Sequence, residues 1–309
     1  MITVPAGFRD SALATFGTAG AEFCKTLPAV VDEYAARWSL TLDLPAGAEP
    51  WYGMCGIVVP VRTPAGEAAV LKISWADEET EHEHTALAAW SGNGAVRLLA
   101  ADGARRVLLL ERLDPNRTLR DLPIDDAVVT LAELLRRLAV PAPPGVEAVA
   151  DHAARWVDEL PRRWRASRPP HDVWLLDRAV GIARELGPSS GALLVHTDLH
   201  YENVLATLPG AARHRGRWLA IDPKPMAGDP EFGALPALWN RLDDLDGADP
   251  AAALRRRLRR YADAAGIDPD LAAAWSVARA VETVVWNAEI GLVQEQQRPA
   301  WVAETLAAF

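Results

Sequence analysis

The chain has 309 residues, half of them hydrophobic, and a formal net charge of −10. This length is enough for two domains or for one domain with two lobes, and no apolar run reaches the length of a transmembrane helix. The charge argues against nucleic acid or an anionic membrane as a partner, the two cysteines exclude a disulfide framework, and the first residues show no secretory signal, so the cytoplasm is the expected compartment. We also expect a monomer.

Residues 1–45 are predicted to form a helical segment at the start of the chain. Large apolar side chains recur in it at helical spacing and would form one packing face. These are Phe23, Leu27, Val30, Val31, Tyr34 and Trp38. Pro45 and Gly47 end the pattern.

Residues 49–113 have the pattern of strands. Two apolar runs, 57–61 and 68–73, flank a turn at 63–67 and predict a hairpin. Gly53 and Gly56 precede the first run, where backbone amides could approach phosphate oxygens, although many hairpins begin with glycines. The sequence contains neither a full G-x-G-x-x-G nor a P-loop motif.

Lys72 stands near the end of the second apolar run. An unpaired lysine is costly to bury, so this side chain either extends to solvent or meets a fixed anion. The acidic stretch 77–90 that follows is predicted to be a helix. Glu83 shares the side of its apolar residues and is the preferred partner for Lys72, with Glu79 one turn earlier as the alternative.

Further along the chain, residues 96–100 and 107–110 predict two more strands. Beyond them the sequence becomes mainly helical, with amphipathic patterns over 125–138, 146–164 and 173–186.

Polar side chains that could act in catalysis or bind a ligand are concentrated in residues 196–203, His-Thr-Asp-Leu-His-Tyr-Glu-Asn. Strand-like runs at 192–195 and 218–221 flank it, and the second run ends at Asp222. Phosphoryl transfer from magnesium-ATP requires one carboxylate to accept a hydroxyl proton, and an amide and a second carboxylate to hold the metal. The spacing of Asp198, Asn203 and Asp222 suits these roles.

Two other interpretations of these residues remain open. A single aspartate after a strand is more often a turn or cap residue than a ligand. Alternatively, His196, Asp198 and His200 occupy alternate positions and would share one face of an extended segment, as in a metal-dependent hydrolase.

The motifs together resemble a known family. His196, Asp198, Leu199 and Asn203 match the protein-kinase catalytic loop H-R-D-L-x-x-x-N, with Thr197 in place of arginine, and residues 69–72, Ala-Val-Leu-Lys, resemble the strand-three lysine motif. This loop is similar to that of the aminoglycoside phosphotransferase superfamily. The motifs, including Ile-Asp-Pro-Lys-Pro at 221–225, resemble its streptomycin 6-phosphotransferase and hydroxyurea-resistance kinase branch.

The resemblance implies an α+β, bilobal protein-kinase-like fold with a small antiparallel sheet in the N-lobe, residues 1–113, and a mainly helical C-lobe, residues 114–309. It implies ATP and Mg²⁺ as cofactors and a cationic aminoglycoside such as streptomycin as substrate. Asp198 would be the catalytic base, and Asn203 and Asp222 the metal ligands. The nucleotide would bind to Lys72 supported by Glu83, to the turn at Gly53 and Gly56, and to the backbone of Glu111 and Leu113 at the hinge, with the lysine and the catalytic residues facing one cleft.

The sequence after Asp222 argues against a regulated protein kinase. Only six residues separate Asp222 from Asp229, which leaves no room for a long activation loop. We expect Lys224 to face the phosphates or a nearby acid, and Asp229 to order the loop. Gly233 follows Phe232 where the family often has an aspartate.

The C-terminal part contains helical patterns at 250–264 and 268–292. Glu282 and Glu289 are seven residues apart and share a helix face, where they would either meet a cationic guest or simply face solvent. Three other functions are weighed against the aminoglycoside kinase: a kinase for another small alcohol, a non-catalytic nucleotide-binding module, and the metal-dependent hydrolase.

Overall fold

A computed structural model describes residues 2–45, 47–210, 215–245, 247–292 and 294–309. The described helices are α1 Ala6–Arg37, α2 Glu83–Trp90, α3 Ile124–Leu138, α4 Val149–Ser167, α5 Val173–Leu186, α6 Leu235–Trp239, α7 Pro250–Ala265, α8 Pro269–Glu289 and α9 Gln297–Ala307. The strands are β1 Thr41–Leu42, β2 Trp51–Tyr52, β3 Gly56–Arg62, β4 Ala68–Ser74, β5 Leu98–Asp102, β6 Val107–Glu111, β7 Leu113–Thr118, β8 Leu193–His196, β9 Val204–Thr207, β10 Trp218–Ala220 and β11 Pro225–Gly228.

The chain divides into two compact units. The first comprises Met1–Asp114 and Thr207–Arg215, and the second comprises Pro115–Ala206 and Gly216–Phe309. The domains predicted from the sequence differ from these units in two ways. The boundary lies one residue later, and residues 207–215 belong to the first unit. The assignment of the predicted domains to nucleotide and acceptor binding stays a prediction.

The first unit is an antiparallel sheet covered by α1. Its strand order is β1-β3-β4-β6-β5, and β2 also pairs with β3. Alternate side chains of β3, β4 and β6 point to one face, as the period of a strand requires, and α1 packs on that face. The core includes Phe8, Leu27, Val31, Tyr34, Ile57, Val59, Leu71, Ile73 and Val107.

Helix α1 bends at Gly17, whose φ of 61° and ψ of −144° fall in a region that side chains strongly disfavour. The two parts of the helix therefore approach the sheet in different directions. Phe16 stacks on Trp75 just before the bend, with ring centroids 4.4 Å apart. Further along the helix, Phe23 meets the same indole edge-on at 5.4 Å.

The second unit is mainly helical and is built around α8. This helix packs against α4, α5, α7 and α9, and its Trp275 is fully buried. Trp275 contacts the ring of Phe232, which stacks on Trp156 of α4. Two small sheets, ordered β10-β9-β7 and β11-β8, carry the predicted catalytic segment.

Several sequence-based boundaries were wrong. The helix predicted from residue 77 begins at Glu83, because residues 77–82 form turns: Asp77 accepts a hydrogen bond from the Thr80 amide at 2.8 Å, and the Thr80 hydroxyl donates to the Trp75 carbonyl at 2.9 Å. Such local side-chain bonds compete with the helical ladder. Strands β7 and β11 were missed because neither has the apolar alternation of a strand, and their pairing depends on tertiary context.

Within the described residues, none of the helices combines the length and the apolar character needed to cross a membrane.

Candidate active site

The predicted catalytic loop connects β8 to β9 in the second unit. Strand β9 pairs with β10 so that Val204 faces Ala220. One residue further, the Ile221 amide donates to the Asn203 carbonyl at 2.9 Å. Asn203 and Asp222 therefore lie at the same end of this hairpin, although 19 positions separate them in the sequence.

His196 braces the loop from inside. Its ring is fully buried, its Nε2 donates to the Ile221 carbonyl at 3.0 Å, and its Nδ1 accepts the Asp198 amide proton at 3.2 Å. Burial lowers the pKa of His196 to about 4, so the ring is neutral at physiological pH. One side chain thus fixes the backbone before the predicted base and the backbone before Asp222.

The same contacts show that the metal-hydrolase alternative was wrong. Both ring nitrogens of His196 are engaged with the protein backbone, and Nδ1 of His200 accepts from the Glu202 amide at 3.3 Å. Over the described parts of the chain, three or more His, Cys, Asp or Glu side chains nowhere gather as a metal-binding group.

Asp198 is partly exposed, with 26% of its side chain accessible. Lys224 Nζ lies 3.6 Å from its Oδ2, and His200 Nε2 lies 4.0 Å from its Oδ1. The side-chain Nδ2 of Asn203 donates to the backbone carbonyl of Asp198 at 2.9 Å and lies 3.5 Å from Oδ2 of the same residue. These contacts to the carboxylate oxygens are all 3.5 Å or longer. They orient the carboxylate without blocking it, so it remains accessible to a substrate hydroxyl.

The residues predicted to bind the metal suit Mg²⁺. Because Nδ2 of Asn203 is committed to Asp198, its Oδ1 faces the other way and is available as a ligand. Asp222 supplies a carboxylate, and Mg²⁺ prefers such oxygen ligands. These two side chains would hold the ion.

Asp222 also has an unusual backbone, with φ of 55°. This left-handed conformation is costly for a non-glycine residue, and such strain often occurs at functional sites. In the described structure the other non-glycine residues with positive φ lie at or next to helix ends: Ser39, Ser91, Arg106, Arg168 and Arg241. Asp222 instead lies between two strands, where no helix cap accounts for its conformation.

Thr197 occupies the position where protein kinases have arginine, and the structure shows what it does instead. Its amide and hydroxyl both donate to the Lys224 carbonyl, at 3.1 and 2.7 Å. Its own carbonyl accepts from Arg279 of α8 at 2.8 Å, and the same guanidinium donates to the Phe232 carbonyl at 2.9 Å. Arg279 was not predicted to have this role, because its partners are backbone atoms distant in the chain.

In the first unit, Lys72 forms an ion pair with Glu83. Lys72 Nζ lies 2.6 Å from Glu83 Oε1, and the side chains are 13% and 4% exposed. The structure thus pairs Lys72 with the partner preferred from the sequence, and Glu79 lies in the turn before α2. A lysine held in this way keeps its charge in a partly desolvated place, as phosphate binding requires.

The turn between β2 and β3 carries the two glycines. Gly53 donates to the Gly56 carbonyl at 3.0 Å. A Cβ on Gly56 would lie 2.4 Å from the Ile73 carbonyl oxygen, so this glycine is required by the close approach of β3 and β4. A Cβ on Gly53 would meet nothing within 4 Å, which leaves Gly53 as the glycine that structural packing does not explain.

The predicted hinge residues lie at the junction of β6 and β7. The Glu111 side chain accepts from the Arg97 amide at 2.7 Å and forms an ion pair with Arg215, and Leu113 is buried. Their side chains thus serve the protein itself, and the predicted contact of their backbone with adenine stays a prediction.

The sequence profile of a family described as aminoglycoside/hydroxyurea antibiotic resistance kinase matches residues 37–291. The chain belongs to this family. It is 39% identical to a streptomycin 6-kinase of Streptomyces glaucescens, covering 94% of this chain and 92% of that protein, and 38% identical to a streptomycin 6-kinase of Streptomyces griseus, covering 99% and 97%. A hydroxyurea phosphotransferase of Kitasatospora aureofaciens is 38% identical over 99% of this chain and 86% of that protein.

Solved structures confirm the predicted α+β, protein-kinase-like fold of this kinase family member. The choline kinase LicA of Streptococcus pneumoniae aligns with a TM-score of 0.55 at 12% identity, covering 92% of this chain and 99% of that one. The macrolide 2'-phosphotransferase MphH of Brachybacterium faecium gives 0.55 at 18%, covering 91% and 98%. Family membership also confirms that the protein is a phosphotransferase, and it leaves the non-catalytic alternative without support.

In this kinase, Glu282 and Glu289 already have a cationic partner inside the protein. Arg163 of α4 donates to Glu289 at 2.9 and 2.8 Å and to Glu282 at 3.2 Å. The two carboxylates raise the pKa of the Arg163 guanidinium. The ion pair with Arg163 was not predicted, because the sequence does not show which helix packs opposite these acids. Both carboxylates remain partly exposed, as the solvent-facing alternative expected, and a contact with a cationic guest stays a prediction.

Asp229 is placed as expected for a loop-ordering residue. Its Oδ1 accepts from the Gly191 amide at 2.8 Å, and its amide lies 3.3 Å from the Ser190 hydroxyl. These contacts hold the end of β11 against the segment that leads into β8.

Proposed function

We propose that this protein is an ATP- and Mg²⁺-dependent phosphotransferase that phosphorylates a hydroxyl of streptomycin or a closely similar cationic aminoglycoside. The observation that carries the proposal is the identity of 38–39% to two streptomycin 6-kinases over 94–99% of the chain. The net charge of −10 agrees with a cationic acceptor.

The second unit would carry the chemical step. A carboxylate oxygen of Asp198 accepts the proton of the acceptor hydroxyl as that oxygen bonds to the γ-phosphorus, and the bond from phosphorus to the ADP oxygen breaks with its electron pair remaining on ADP. Mg²⁺ held by Asn203 and Asp222 would neutralise phosphate charge. His196 keeps the base in place through its amide.

The first unit would bind the nucleotide. Lys72, fixed by Glu83, would pair with the α and β phosphates, and the amides of the turn from Gly53 to Gly56 would approach them. The backbone groups of Glu111 and Leu113 would pair with adenine. This arrangement leaves the γ-phosphoryl as the group that is transferred.

Hydroxyurea is the second candidate acceptor, because the hydroxyurea phosphotransferase is as similar to this chain as one of the streptomycin kinases. Hydroxyurea is much smaller than an aminoglycoside, so an assay with each compound on its own distinguishes the two acceptors. Sugars and amino alcohols represent the broader alternative of a kinase for another small alcohol.

The proposal is tested by measuring ADP release with each acceptor class and assigning the phosphate position of any product by NMR. We expect turnover with streptomycin. Turnover with hydroxyurea or a sugar but not with streptomycin would overturn the acceptor assignment. The assignment as a phosphotransferase would stand.

The same assay tests the base. Asp198→Ala should lower kcat by about 10²–10⁴-fold, with the Kd of ATP changed less than about threefold. Asp243→Ala, which removes an 89% exposed carboxylate in the same unit, is the matched control and should leave both unchanged. Full activity of Asp198→Ala would remove Asp198 as the base.

A further inference from the structure

Lys224 is held in a rigid backbone beside the predicted base. It lies between Pro223, whose ring fixes the φ of its own residue, and Pro225, which disfavours helical backbone at Lys224. Its carbonyl accepts both the amide and the hydroxyl protons of Thr197, and Pro225 faces His196 across the β11–β8 pair. The main chain therefore fixes where this side chain starts, without any contribution from the ammonium group.

The ammonium group lies at the open side of Asp198. Its Nζ is 3.6 Å from Asp198 Oδ2, beyond the length of about 2.7–3.2 Å that an N–H···O bond takes. The lysine side chain is 40% exposed. The contact with Asp198 is thus longer than a hydrogen bond, and the exposed part of the lysine side chain is accessible to a third group next to the carboxylate.

The chemistry calls for a cation at this place. Phosphoryl transfer gathers negative charge on the equatorial oxygens of the transferring group, and kinases and GTPases supply Lys, Arg or metal ions to balance it. The catalytic loop 196–203 contains neither Lys nor Arg, and Thr197 stands where protein kinases place an arginine. Arg279, the nearby cation on α8, donates to two backbone carbonyls and lies 4.9 Å from the Phe232 ring centroid.

We infer that Lys224 is a catalytic residue that donates hydrogen bonds to the non-bridging oxygens of the transferring phosphoryl group, an inference that rests on the proposed function. Before nucleotide and acceptor bind, its ammonium accompanies the Asp198 carboxylate. During transfer, Asp198 takes the hydroxyl proton and becomes neutral, while Lys224 stays protonated and moves its hydrogen bonds to the phosphoryl oxygens. The bond changes are those given above, and Lys224 neither gains nor loses a proton.

The test compares Lys224→Met with Lys25→Met. Lys25 is a 69% exposed lysine on α1 that pairs with Glu22 and lies outside the proposed machinery. We expect Lys224→Met to lower kcat by about 10²–10³-fold, with the KM of ATP changed less than about threefold. Lys25→Met should match the wild type in both.

A binding measurement separates a catalytic from a structural role. Calorimetry with Mg²⁺–ADP alone should give the same Kd for the wild type and Lys224→Met, because Lys224 contacts only the transferring phosphoryl group, which ADP lacks. With Mg²⁺–ADP and aluminium fluoride, which imitates the transferring phosphoryl, Lys224→Met should bind at least about tenfold more weakly than the wild type.

Three results would overturn the inference. They are a kcat of Lys224→Met within threefold of the wild type, unchanged binding of ADP with aluminium fluoride, and loss of ADP affinity or of the folded state in both Lys224→Met and Lys224→Gln, which would assign a structural role. If the wild type phosphorylates none of the acceptors, the proposed function fails, and the aluminium fluoride measurement still decides the role of Lys224.

Discussion

The buried imidazole of His196 makes a quantitative prediction about stability and pH. Its pKa of about 4 in the folded protein lies well below the ordinary value of 6.5. Between these values the unfolded chain binds a proton that the folded protein refuses, so the free energy of unfolding falls as the pH falls from about 6.5 to about 4. The gap corresponds to about 3 kcal/mol in total, which is fully available above pH 6.5 and lost below pH 4.

Two substitutions isolate this contribution. His196→Asn keeps an acceptor for the Asp198 amide, and His196→Gln keeps a donor toward the Ile221 carbonyl, but neither side chain titrates. Both should be less stable than the wild type at pH 7. At pH 4.5 the wild type will have lost about 2–3 kcal/mol through His196, so its advantage over both variants should shrink by that amount.

Urea unfolding at pH 7.0 and 4.5 measures the difference, and taking the variant against the wild type at each pH removes other titrating groups such as Glu147, whose pKa is lowered to about 2. Nitrogen NMR of the ring should show a single neutral tautomer with the proton on Nε2. An advantage of the wild type that is equal at both pH values, or a ring that titrates near 6.5, would refute the reasoning.

Two further predictions use matched pairs in the first unit. Glu83→Gln should cost about 3 kcal/mol of unfolding free energy and raise the KM of ATP, because it removes the carboxylate that holds a largely buried lysine, whereas Glu78→Gln, at an exposed glutamate in the preceding turn, should change stability by less than about 0.5 kcal/mol; equal effects in urea unfolding would contradict the ion pair. Gly56→Ala should cost about 2 kcal/mol because its Cβ meets the backbone of β4, whereas Gly53→Ala should leave stability within about 0.5 kcal/mol. A raised KM of ATP in Gly53→Ala would then report contact with the nucleotide, and an unchanged KM would remove Gly53 from the phosphate site.

The features of this protein that could be predicted from the sequence are those determined by residues close together in the chain. The order of strand, loop and hairpin around Asp198 and Asn203 follows from local apolar runs, and so does the position of Lys72 on its strand. The choice of Glu83 as partner also followed from local geometry, since a carboxylate on the apolar side of a helix faces the sheet.

What could not be read were the long-range partners. Nothing near Glu289 in the sequence indicates that Arg163 lies opposite it, and nothing near Thr197 indicates the carbonyl of Lys224. The turns at 77–82 were missed for a different reason, because the Asp77 and Thr80 side chains compete with a helix that composition alone favours. Side chains that bind backbone carbonyls, such as Arg279, leave no motif of their own.

The bond from Arg279 to the Thr197 carbonyl joins residues 82 positions apart. The catalytic loop therefore reaches its final support only after a helix made much later by the ribosome has docked, since contacts of large sequence separation form at a high entropic cost. We expect nascent chains that end before Pro269 to lack a settled catalytic loop, even with every predicted catalytic residue already synthesised. Competence for phosphoryl transfer would thus arise only once α8 has been synthesised and has docked.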